Sequence, residues 1–120
     1  MLATWRRDGR LHMSPVTVGL DAAGRALSSS RETAYKVRNL HRDSRAALCV
    51  FVEAFTGLWV QMEGTAEVVT LPHAMEPLVD SYRRLVGEHP DWADDRRAMA
   101  ADRHALSRVT IERAGPHRQG

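Results

Sequence analysis

An α+β fold, built on an antiparallel sheet that closes on itself as a small barrel, follows from three features of this 120-residue sequence. Two turn signals, Asp8-Gly9 and Asp21-Ala22-Ala23-Gly24, separate short extended runs near the N-terminus, the pattern of successive hairpins. Past the middle, the apolar spacing switches to a helical period. Strands joined by hairpins are antiparallel, and a sheet of so few strands has to close on itself or pair with a partner to cover its edges.

Leu2-Ala3-Thr4-Trp5 reads as the first strand, and Leu11 to Gly19 runs extended beyond the Asp-Gly turn. Pro15 lies inside that second run and has no N–H to give a ladder, so an edge position or a bulge is expected there. A third strand follows around Arg25 to Ser29. Thr33 is the expected N-cap of a helix to about Asp43, with Ala34, Val37 and Leu40 on one side. Ala46 to Val52 reads as a buried strand that holds the single cysteine, Cys49, as a core thiol. Glu53 to Gly57 reads as a loop, and Leu58 to Val69 as a long strand. Gly64 in mid-strand signals a bulge or a close backbone approach.

Met75, Leu78, Val79, Tyr82, Leu85 and Val86 then form the stripe of an amphipathic helix with Pro77 in its first turn. Gly87 closes it. Asp91 is the expected N-cap of another helix, in which Trp92 reads as core and His89 as a pin between the two helices. A last strand around Leu106 to Glu112 completes the order. The expected organisation is one domain over residues 1–114, followed by a disordered polar tail, 115–120.

The composition narrows the function classes. The net charge of +2 comes from 17 basic and 15 acidic residues interspersed along the chain, whereas a nucleic-acid footprint gathers on one face. Arg6-Arg7, Arg83-Arg84 and Arg96-Arg97 read as solvated mixed surface. The longest apolar run is strand-sized, too short for a bilayer, and no export signal opens the chain, so the expected compartment is the cytoplasm. The six histidines lack the short spacings with Cys or carboxylates that a metal site needs, and no metal is expected. No Ser-His-Asp or Cys-His set stands out, and no catalytic residue is assigned.

One local pattern carries chemistry. Sixteen of the cations are arginine and one is lysine, Lys36, which follows Ser28-Ser29-Ser30-Arg31 at a strand-to-helix corner. Hydroxyls, an ammonium and the free N–H groups of a helix start are the ingredients of an anion site.

Several segments, taken in order and spacing, resemble a known group. They are Leu2-Ala3-Thr4…Asp8-Gly9-Arg10…Ser14-Pro15-Val16, Lys36-Val37-Arg38-Asn39-Leu40…Arg42-Asp43…Arg45-Ala46, Glu63-Gly64-Thr65-Ala66, and Gly87-Glu88-His89…Asp91-Trp92. From Leu2 to about Ile111 the chain is similar to the pyridoxamine 5′-phosphate oxidase-like split-barrel superfamily, and within it to the group B flavin/deazaflavin oxidoreductases that use coenzyme F420. The resemblance implies a split barrel with peripheral helices, shortened at the N-terminus because relatives begin some twenty residues earlier. It also implies a homodimer with cofactor sites at the interface.

The resemblance assigns the cofactor phosphate to Ser28, Ser29, Ser30, Arg31 and Lys36. It places the deazaflavin ring along Met13, Ser14, Pro15 and Val16, with Trp59 and Gln61 approaching the same crevice. The implied activity is hydride transfer from reduced F420 to a small electrophilic substrate. An FMN-binding oxidase of pyridoxamine-phosphate type and a non-catalytic F420-binding protein stay open as alternatives, and neither a nucleic acid nor a membrane is an expected partner.

Overall fold

The computed structural model describes residues 1–51 and 58–119 of the chain. Its elements are β1 (Leu2–Trp5), β2 (Leu11–Ser14), β3 (Gly19–Leu20), β4 (Ala26–Arg31), α1 (Tyr35–Arg42), β5 (Arg45–Phe51), β6 (Leu58–Val69), α2 (Met75–Val86), α3 (Trp92–Ala101) and β7 (His104–Gln119). The expected loop at 53–57 and the end of the expected strand at Val52 lie outside the described residues.

The strands form a single antiparallel sheet in the order β2-β1-β5-β6-β7-β4-β3. Strand spacing alone shows that this sheet cannot lie flat. Across six inter-strand gaps, edges β2 and β3 would stand about 29 Å apart. The chain crosses from Ser14 to Gly19 in five residue steps, which reach at most about 18 Å. The sheet therefore curls until its edges approach, and Val16 and Val18 of this crossing pack against the enclosed core.

Strand alternation divides the core in two. Leu2, Ala26, Leu40, Ala46, Leu48, Ala66 and Val109 fill the inside of the curled sheet. Leu27, one residue out of phase with Ala26, and Leu106, three pairs along from Val109, meet Ala74, Leu78 and Met99 of the α2–α3 layer on the outside. The interior residues of β4 and β7 are small (Ala26, Ser28, Ser30, Ala105, Ser107), which leaves room for α1 to bury Val37 and Leu40. A polar chain ties α1 to β1. Asn39 donates to the fully buried Thr4 hydroxyl at 3.1 Å, and Arg42 donates to Asn39 Oδ1 at 2.9 Å and to the Trp5 carbonyl at 2.8 Å.

Most turn expectations hold. Arg6–Arg10 is the β1–β2 hairpin turn with Gly9 at φ +85°, and Asp21–Gly24 joins β3 to β4. β6 and β7 slip register at Glu63/Gly64, where a bulge was expected. Asp91 caps α3 by accepting from the Asp94 N–H at 3.1 Å, and Asp91→Ala is expected to cost about 1 kcal/mol, read as a shifted denaturation midpoint. His89 sits at the α2–α3 joint, its Nδ1 accepting from the Asp91 N–H at 2.9 Å.

Five expectations are corrected. β2 stops at Ser14 and the run to Gly19 is broken, because Pro15 cannot donate to a ladder and the chain there crosses between the sheet's edges. The N-cap of α1 is Ala34, not Thr33, and no side chain caps it. Cys49 is half-buried on the outer sheet face rather than in the core, since alternation gives the interior to Ala46, Leu48 and Val50. Trp92 is half-exposed, held edge-on to Tyr82 with centroids 5.8 Å apart and bonded through Nε1 to Glu88 at 2.6 Å. β7 continues through the expected disordered tail to Gln119, because the backbone of β6 back to Leu58 offers it a ladder that needs no apolar side chains.

The α1–β5 turn carries a pH signature. Hydrogen bonds from the Arg45 side chain, then from its N–H, hold the Asp43 carboxyl down at about 2. A depressed carboxyl contributes stability above its unfolded value near 3.8 and loses it as pH falls toward the folded value. The stability gap between the native protein and Asp43→Asn is therefore expected to be constant above about pH 4–5 and to close between pH 4 and pH 2. Acid-unfolding curves of the two proteins check this.

No helix among the described residues is long and apolar enough to cross a membrane.

Candidate functional site

The register brings some of the sequence-assigned residues together and separates others. Leu2 and Thr4 face the interior, so their neighbours Ala3 and Met13, paired with each other, face outward. Ala3 also pairs with Ala47, and Ala47 with Glu63. Cys49 pairs with Gln61, and Phe51 with Trp59. Met13, Ala3, Ala47, Cys49, Gln61 and Trp59 thus share the outer face of β2-β1-β5-β6. Two alanines in the middle make a low floor, with Met13 (61% exposed) at one side and half-buried Trp59 and Gln61 at the other. Gln61 Nε2 donates to Glu63 Oε1 at 3.1 Å. Such a floor suits a planar ring.

Ser14 lies on the opposite side of β2 from Met13, and its Oγ is buried with no hydrogen-bond partner. Pro15 follows exposed, and Val16 turns into the core. The segment 13–16 therefore presents alternate faces rather than one continuous surface.

The serine corner divides in the same way. Ser28 and Ser30 face the barrel interior at 7% and 8% exposure, opposite Ser107 and Ala105. The Ser28 Oγ is a second buried oxygen without a partner. Ser29 and Arg31 point outward. Ser29 Oγ bonds His104 Nδ1 at 2.9 Å, and Arg31 stands 3.7 Å from Asp102. The three serines therefore do not line one surface, and alternation along β4 is the reason.

Lys36 is half-buried in the first turn of α1 and, among the described residues, has no carboxylate within 4 Å. Ala34 supplies no side-chain cap, so the Tyr35 and Lys36 N–H groups have no capping acceptor, while the Val37 N–H bonds the Ala34 carbonyl at 3.1 Å. An ammonium beside an uncapped helix start suits an anion, and a phosphate fits it.

A larger concavity, missed in the sequence, lies on the other side of β2 from Met13. The β1–β2 hairpin overhangs α1 and encloses about 970 Å³ lined by Arg6, Arg7, His12, Tyr35, Arg38, Asn39, His41 and Arg42. Arg6-Arg7 reads as solvated surface in one dimension. The signal was the lack of acids at helical or cross-strand spacing from these arginines. Among the described residues, no group of three or more His, Cys, Asp or Glu is placed to hold a metal ion.

Comparison with known proteins places this geometry. A conserved hypothetical protein from Mycobacterium tuberculosis superposes with TM-score 0.74 at 23% identity, over 94% of this chain and 72% of its own. An F420 reductase superposes with TM-score 0.71 at 17% identity, over 95% of this chain and 86% of its own. A pyridoxamine 5′-phosphate oxidase-related, FMN-binding protein from Nostoc punctiforme gives TM-score 0.66 at 12% identity, over 94% and 70%. At these identities the likeness is one of fold, the split barrel with peripheral helices. The family model for pyridoxamine 5′-phosphate oxidase matches residues 1–117, nearly the whole sequence. The chain belongs to the pyridoxamine 5′-phosphate oxidase family, a family of oxidoreductases, and its antiparallel barrel is that family's split barrel.

Proposed function

We propose that this protein is an F420-dependent reductase that passes a hydride from the reduced deazaflavin to a small electrophilic substrate, acting as a cytoplasmic homodimer. The observation that carries the reading is the uncapped start of α1 with Lys36 beside it, at the corner where the resemblance seats the cofactor phosphate. The family match and the F420 reductase with the same fold support it.

The residues present fit such a group. Lys36, with the N–H groups of Tyr35 and Lys36, would hold the phosphate, and Ser29 and Arg31 stand on the outer face of β4. Met13, Trp59 and Gln61 bound the alanine floor that would orient the ring, while Ser14 faces the other side of β2. A bound 5-deazaflavin supplies a hydride as a two-electron unit to an electrophilic C=C or C=N bond. The protein's own contribution is positioning and exclusion of water; no side chain at the floor is assigned as a general acid. Exposed Leu11 and Met13, both on the outer face of edge strand β2, support burial of this surface against a second copy.

An FMN-binding oxidoreductase is the second reading, favoured by the FMN-binding relative of the same fold. Oxidation of reduced F420, followed by absorbance over a panel of activated alkenes and imines, tests the proposal. Turnover with any member supports it. Oxidation of pyridoxamine 5′-phosphate by the FMN-loaded protein, with dioxygen reduced to hydrogen peroxide, and no turnover with reduced F420, contradicts it.

A further inference from the structure

The groove between the β1–β2 hairpin and α1 differs electrostatically from the rest of the surface. Elsewhere the arginines are neutralised: Arg10, Arg25, Arg31, Arg45, Arg83, Arg84, Arg96, Arg97, Arg103 and Arg108 each stand within 4 Å of a carboxylate. Among the described residues, the Lys and Arg side chains without such a partner are Lys36, Arg113 and four that line this one concavity, Arg6, Arg7, Arg38 and Arg42. The nearest acids are engaged with other groups. Asp8 accepts from the Arg10 N–H and lies 3.9 Å from its side chain. Asp43 is clasped by Arg45, with Arg42 adding a weaker pull on its charge.

Four like charges around one concavity repel, and a partly enclosed wall focuses their field, so the groove gains most from a ligand that brings several negative charges at once. Guanidinium forks match carboxylate and phosphate oxygens in pairs. Two further features point inward. His12 Nδ1 is buried in the groove wall without a hydrogen-bond partner. Tyr35, 72% exposed, stands with its ring centroid 6.2 Å from that of His12 and gives the ligand an aromatic side wall. The volume of about 970 Å³ admits a metabolite-sized molecule.

We infer that this groove is a binding site for a small molecule bearing two or more carboxylate or phosphate groups, separate from the ring floor on the opposite side of β2. The site does not depend on which cofactor the protein uses. Arg42 is fixed by Asn39 and Trp5, while Arg6, Arg7 and Arg38 are free to close on the ligand.

Calorimetric titration with citrate and with inorganic pyrophosphate, against acetate at matched ionic strength, tests the site and distinguishes carboxylate from phosphate ligands. The native protein is expected to bind at least one of the two oligoanions at least tenfold more tightly than acetate. Arg7→Gln/Arg38→Gln, both changes at exposed side chains, is expected to lose roughly tenfold to a hundredfold of that affinity, the scale of lost charged hydrogen bonds. Arg84→Gln/Arg97→Gln, which removes the same two charges from α2 and α3 outside the groove, serves as control and is expected to change it by less than about twofold. Equal binding of acetate and both oligoanions, an equal loss in the control, or undiminished binding by the double variant overturns the site. F420 titration of the double variant keeps the two readings apart. Unchanged F420 affinity supports a separate groove, and a parallel loss makes it part of the cofactor site and overturns the inference. Oligoanion binding by a protein that fails to bind F420 leaves the groove standing and sinks the cofactor reading instead.

Discussion

Gly64→Ala is expected to destabilise the protein by about 3 kcal/mol or more and to lower its melting temperature by roughly 10–15 °C. A Cβ at Gly64 would lie 2.0 Å from the Thr110 carbonyl oxygen and 2.9 Å from its carbon. Both atoms belong to the backbone of β7, so no side chain can swing aside to make room. The clash falls where β6 and β7 slip register between Glu63 and Gly64, so relief requires the two longest strands to part or re-pair. Gly9→Ala is the natural comparison. Gly9 has φ +85° but nothing within 4 Å of its Cβ position, so only backbone strain is added, about 1 kcal/mol. Denaturant midpoints of the two variants check the pair. Equal small losses would show that β6 does not approach β7 this closely.

Lys36→Ala is expected to weaken F420 binding by ~1.5–3 kcal/mol, roughly ten- to a hundredfold in Kd, with little change in the unfolding midpoint. Lys36 holds no ion pair among the described residues, so its removal strands no carboxylate. In the proposed site its contribution falls on the cofactor phosphate. Lys36→Arg keeps the charge and is expected to recover part of the affinity. An unchanged Kd in Lys36→Ala would remove the phosphate from this corner.

What the sequence made legible was mostly local. The Asp8-Gly9 turn, the Met75–Val86 stripe, the Asp91 cap and the Gly64 bulge each depend on residues within a few positions, and all appear in place. Errors arose where a long-range choice of face decides the outcome. Cys49 reads as core because its run is apolar throughout, yet alternation in β5 turns it outward. The three serines read as one cluster, yet the same alternation buries Ser28 and Ser30 and exposes Ser29. The ladder that carries β7 to Gln119 depends on β6, some sixty residues earlier, and leaves no mark in the polar tail itself. The basic groove was hidden for a related reason, because the hairpin supplies Arg6 and Arg7, the helix supplies Arg38 and Arg42, and their shared lack of acids emerges only when the two elements meet.

The proposed function requires that the α1 corner and the outer floor of β2-β1-β5-β6 hold a deazaflavin. The most direct test is a side-by-side equilibrium titration of the purified protein with F420 and with FMN at physiological salt. Saturable F420 binding, clearly tighter than FMN binding and weakened in Lys36→Ala, is expected. Preference for FMN, or binding of neither, would contradict it.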